Sequence, residues 1–89
     1  MRAIVTVIGK DRVGIIADVT ALLARHGVNV LDISQTVLQE YFTMIMLVDA
    51  SGCTVPFAEL AQELDTAGEA LALKIRAQRE DIFNAMHRI

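Results

Sequence analysis

The 89-residue chain carries one cysteine, one proline and no tryptophan. Cys53 alone forms no internal disulfide and no cysteine cluster for an iron–sulfur centre. Beside Gly52 and Thr54 it reads as a small loop residue rather than a nucleophile. Basic residues are scarce as well. Eight Lys and Arg stand against 11 Asp and Glu, for a net charge of −3. No basic field draws nucleic acid or an anionic membrane surface. Aromatic residues are 4% of the chain, too few for a base-stacking platform. No apolar run approaches the roughly twenty residues of a membrane span. Met1-Arg2 opens directly on a short apolar run, so no leader is expected and the expected setting is the cytoplasm. His26 and His87, the only histidines, have no carboxylate or cysteine at ligand spacing beside them. Neither a metal nor another cofactor is expected.

What the chain has in plenty is apolar side chains, 54% of residues. Its length predicts one domain over residues 1–89. A domain so small buries only about two-thirds of its unfolded surface. The apolar excess therefore predicts that a partner covers some of it.

The hydrophobic period changes regularly along the chain. Residues 2–8 read as a strand, with Ala3, Val5 and Val7 on one face and Ile4, Thr6 and Ile8 on the other. A helix follows from about 14 to 26, with Ile15, Ile16, Val19, Leu22 and Leu23 in one stripe. Asp11 is its expected N-cap and Gly27 its expected stop. A second strand, 28–39, slips phase near Leu31 or Asp32, which predicts a bulge. Strand three covers 41–49, with Phe42, Met44, Met46 and Val48 on one face. A second helix is expected with Thr54 as N-cap, Pro56 in its first turn and Gly68 at its end. Strand four is expected over 71–78, and Ile82, Phe83, Met86 and Ile89 make a short helical stripe over 80–89. The order βαββαβ gives a ferredoxin-like α+β sandwich, a four-stranded antiparallel sheet with two helices on one face, plus the short C-terminal helix. Its other face would lie bare. Strands one and three are too apolar on both faces for that, so a second copy, the C-terminal helix or both should cover it.

Many functions share this fold. A metal carrier needs Cys-x-x-Cys in the first loop, where Lys10-Asp11-Arg12-Val13 stand. An RNA-recognition sheet needs aromatics on its central strands, and the first has none. Gly9 and Gly14 have phosphate-loop spacing, but Ile15-Ile16 replace the required Lys and Ser or Thr. The same loop still offers a site. Unpaired N–H groups at the first helix start suit an anion such as a carboxylate. Asp11, Asn29 and Asp32 would suit an ammonium. The plainer readings are that Asp11 is only a cap, Asp18 a solvated face and Arg12 solvent-exposed.

Asp11-Arg12-Val13-Gly14-Ile15-Ile16, followed by His26-Gly27-Val28-Asn29-Val30, resembles the ACT domain signature over residues 2–78. The ending from Gln78 to Ile89 is similar to that of small stand-alone ACT proteins of bacteria and archaea. The resemblance implies a regulatory βαββαβ module, not an enzyme, that binds an amino acid or other small ligand, commonly between two associated copies. It implies that Asp11 and Asn29 hold the ligand and that Gly14 lets the loop approach. Gly9 stands where some members carry a ligand-touching side chain, Val13 replaces a common proline, and Asp11 is acidic where an amide often occurs.

The expected function is a small-molecule-binding regulatory domain acting as a homodimer, read by a protein partner. The ligand's carboxylate would meet the amides around Val13, Gly14 and Ile15, and its ammonium Asp11, Asn29 or Asp32. A ligand-free dimerisation or interaction module is the alternative. An acylphosphatase-like hydrolase is third: Arg12 and Asn29 are nominally present, but the loop sequence does not match.

Overall fold

Alternating apolar residues make one face of the sheet the floor of the core. The computed structural model describes residues 1–81. It contains β1 (Arg2–Lys10), α1 (Ile15–Arg25), β2 (Asn29–Leu38), β3 (Tyr41–Asp49), α2 (Phe57–Ala70) and β4 (Leu73–Arg79). The strands lie in the order β2-β3-β1-β4, and each neighbouring pair is antiparallel. This is the ferredoxin-like sandwich. Of the C-terminal helix expected over 80–89, everything from residue 82 lies outside the described residues.

Ala3, Val5 and Val7 of β1 and Phe42, Met44, Met46 and Val48 of β3 are buried beneath the helices. Ile15, Val19, Leu22 and Leu23 of α1 and Leu60 and Leu64 of α2 close the core from above. Each large side chain so buried contributes roughly 1.5–3 kcal/mol. The bulge lies where the phase slip places it: Val30 pairs with Val48 but Asp32 with Leu47, leaving Leu31 extra.

The helix caps differ from expectation. Asp11 does not cap α1; the N-cap is Gly14, with no side-chain cap hydrogen bond. The β1 ladder runs on to Lys10, and the Asp11 N–H donates to the Glu40 carbonyl at 2.7 Å, so backbone pairing claims this residue first. Thr54 does not cap α2 either; Pro56 holds that position. Gly68 is not the end of α2 but a buried residue within it. A Cβ there would come 2.7 Å from the Leu73 carbonyl oxygen, so glycine is present for close packing on β4.

Candidate functional site

The left-handed Gly14 backbone (φ 92°), which glycine adopts without strain, turns the chain from the loop after β1 into α1. The N–H groups of Ile15, Ile16 and Ala17 then have no acceptor inside the helix and carry its positive dipole end. Glycine also keeps the approach open, since a Cβ at Gly14 would meet only Arg12 Nη1, at 3.8 Å.

A cleft of about 550 Å³ opens at this point. Asp11, Arg12 and the turn from Gly14 to Ala17 form one wall; Gln35 and Val37 of β2 and Phe42 of β3 form the other. Arg12 spans the helix start. Its Nη1 donates to the Val13 carbonyl at 3.1 Å and its Nη2 to Asp18 Oδ2 at 3.2 Å. The cleft thus sets helix amides and a guanidinium beside a carboxylate and an amide side chain, over apolar walls. That combination matches a small zwitterion with an apolar part.

The expected site residues divide. Asp11, Gly14 and Ile15 line the cleft. The Val13 side chain is 97% exposed and touches little, so only its backbone is available to a ligand. Asn29 and Asp32 are elsewhere. Asn29 pairs with Asp49, itself opposite Arg2, whereas the cleft lies at the Lys10–Tyr41–Leu38 end of the sheet. From Asn29 to Leu38 is roughly 30 Å along an extended strand. Asp32 shares the open face with Leu47, and its Oδ1 accepts from the Ile33 N–H at 2.9 Å. One copy therefore does not bring these two to Asp11. The sequence reading missed Arg12 and Gln35 as cleft residues. Strand phase offered a signal for Gln35, because beyond the bulge it shares Val37's face.

Two other places offer less. His26 sits between α1 and α2 with Nε2 2.6 Å from Glu63 Oε2 and Nδ1 2.9 Å from the Leu22 carbonyl. Both ring nitrogens are engaged within the fold, so the pair is a clasp between the helices. Cys53 is half-buried against the core. Among the described residues no group of three His, Cys, Asp or Glu could hold a metal. None of the helices there is long and apolar enough to cross a membrane.

Comparison with known proteins places the geometry in a family. The ACT domain family model matches residues 2–78. A UPF0237 protein of Clostridium acetobutylicum is 56% identical over 89 residues, all of both chains. A UPF0237 protein of Methanocaldococcus jannaschii is 52% identical over 88 residues, 99% of this chain and 98% of that one. An ACT domain protein structure from Streptococcus pneumoniae superposes with a TM-score of 0.84 at 46% identity, covering 98% of each chain. ACT domains are small-ligand-binding regulatory domains rather than catalytic ones. The signature, the sheet order and the loop before α1 agree: the chain belongs to the ACT domain family.

Proposed function

We propose that this chain is a regulatory module that binds a free amino acid in the cleft at the start of α1 and works as a homodimer. The observation that carries the reading is the uncapped first turn of α1 facing Asp11 and Gln35 across apolar walls. The ligand carboxylate takes the amides of the turn and the Arg12 guanidinium. Its ammonium takes the Asp11 carboxylate and the Gln35 side-chain carbonyl. Its side chain lies along Ile16, Val37 and Phe42.

The distance of Asn29 from the cleft supports the dimer reading, because Asn29 can serve the ligand only from a second copy. β2 is an edge strand, and Leu31, Ile33, Val37 and Leu38 on it are 40–68% exposed. Two such edges pairing antiparallel about a two-fold axis set the start of one β2 beside the end of the other. The partner's Asn29 then closes the cleft that its own copy leaves open. Ligand held by both copies favours one dimer arrangement, and a protein partner that prefers that arrangement senses the ligand by linkage.

Calorimetry with the twenty amino acids tests this. A charged ligand contact is worth about 1.5–3 kcal/mol, so Asp11→Ala and Asn29→Ala should each weaken binding roughly tenfold to a hundredfold. Gly14→Val should abolish it, and Arg25→Ala on the outer face of α1 should leave it unchanged. An affinity that ignores Asp11, Asn29 and Gly14 alike refutes the site. Absence of binding by every amino acid favours the ligand-free interaction module.

A further inference from the structure

α1 and α2 lie side by side over the core, and the outer seam between them is not closed. Two hollows of about 540 and 330 Å³ occupy it, and they share Ala67 and Ala70, so they make one groove. Asp18, Ala21 and Arg25 form the α1 wall, three and four residues apart and so on one flank of the helix. The α2 wall is the stripe Glu59, Gln62, Glu63, Thr66, Ala67 and Ala70. Leu22 and Leu71 add apolar lining, and alanines on both sides leave the middle open. From Glu59 to Ala70 the stripe runs about 17 Å, or roughly three turns of helix. Ile16, which lines the ligand cleft, is on the opposite flank of α1.

Charge on α2 is of one sign. Glu59, Glu63, Asp65 and Glu69 stand on it with no Lys or Arg. Glu59 and Glu63 are four residues apart, as are Asp65 and Glu69, and like charges at that spacing destabilise a helix. Glu59 suits the positive end of the helix dipole, but Glu69, in the last turn, opposes the negative end. Among the described residues only Glu63 of the four makes an ion pair, with His26 across the groove. On the α1 wall, Asp18 is matched by Arg12 at 3.2 Å, and Arg25 is exposed with no ion pair among the described residues. The groove is therefore acidic along α2, apolar and narrow-chained in the middle, and basic at Arg25. A small cation would use neither its length nor its apolar lining. A helix with an apolar stripe and a basic flank uses both, and it neutralises charge that the fold leaves uncompensated.

We propose that the groove between α1 and α2 docks an amphipathic helix of a partner protein, its apolar stripe along Ala21, Ala67 and Ala70 and its lysine or arginine flank against Glu59 and Glu63. Helices whose contacts are small side chains approach to about 8–10 Å, which seats the partner as a third ridge over the two. This surface lies on the flank of α1 away from the cleft and the β2 edge, so the docking depends on neither the amino acid nor the dimer.

The test is titration of the full chain with two synthetic helical peptides of about four turns, followed by the amide signals in NMR. Both peptides carry the same stripe of leucine and alanine; one has lysine flanks and the other glutamate at the same positions. The lysine peptide should shift the signals of Ala21, Ala67 and Ala70, and added salt should weaken it. The glutamate peptide should leave them in place. Glu59→Lys should weaken the lysine peptide roughly tenfold, and Arg25→Glu should tighten it severalfold. Ala70→Phe should block it by filling the groove. All three positions are exposed, so each variant should keep the folded spectrum. No binding, equal binding of the two peptides, or an affinity indifferent to Glu59→Lys and Ala70→Phe would each overturn the proposal. So would shifts confined to Ile8 and Ile45 of the open sheet face or to Gln35 of the cleft. Binding that appears only once residues 82–89 are deleted would overturn it as well, and would assign the groove to that segment of the chain itself.

Discussion

Asp49 shows how one carboxylate ties a strand end to a turn. Its Oδ1 accepts from the Ser51 hydroxyl at 2.6 Å and from the Ser51 N–H at 2.9 Å. The Met1 ammonium is 3.5 Å away. The hydroxyl bond first, then the backbone bond, holds the carboxyl below its ordinary value of 3.8. A folded value below the unfolded one stabilises the fold above the unfolded pKa, and that support is lost as pH falls through the folded value. Thermal melts between pH 6 and pH 3 should therefore show a shallower acid decline for Asp49→Asn than for the unaltered chain. Parallel declines would show that other carboxylates govern acid unfolding. Single residues were unevenly legible in the sequence. Gly14 was readable because few residues take a sharp turn into a helix. Asp11 was misread as a cap because its N–H partner, the Glu40 carbonyl, is distant in sequence.

Within α2 the informative position is Gly68. In a free helix, replacing glycine by alanine gains about 1 kcal/mol. Here the added methyl would stand 2.7 Å from the Leu73 carbonyl oxygen and 3.1 Å from Ile75 Cγ1, so helix or strand must move. Overpacking of this kind costs roughly 1–3 kcal/mol, which outweighs the propensity gain. Gly68→Ala should lower the Tm, and a raised Tm would show that β4 yields without strain. The His26–Glu63 clasp works at the same scale. A partly exposed pair is worth up to about 1 kcal/mol, so Glu63→Gln should cost no more than that in denaturant unfolding. A larger loss would mean that the clasp also sets the angle between α1 and α2.

At the scale of the whole molecule, a small core leaves little reserve. Leu64, on the inner face of α2, is fully buried, and Leu64→Ala should cost about 2–5 kcal/mol. Native stability for a chain of this size is about 5–15 kcal/mol, so urea unfolding should show the midpoint displaced by a large fraction. A displacement under about 1 kcal/mol would mean that the site collapses around the loss. The same scarcity explains the exposed isoleucines. One sheet and two helices cannot cover both faces of β1 and β3, so Ile8 and Ile45 stay outside the single copy's core.

Period and punctuation carried the order βαββαβ, the faces of β1 and β3, the bulge near Leu31 and the start of α1, because each depends on neighbours within a few residues. The uncapped N–H groups at the start of α1 were legible for the same local reason. Which residues share that site was not. Register sets Asn29 at the opposite end of β2 from the cleft and Asp32 on the other face of the sheet, and brings in Gln35 instead, and this depends on pairing between strands far apart in sequence. The groove between the helices is hidden in the same way. Glu59 and Glu63 are far in sequence from Ala21 and Arg25, and only the packing of both helices on one face of the sheet makes them facing walls.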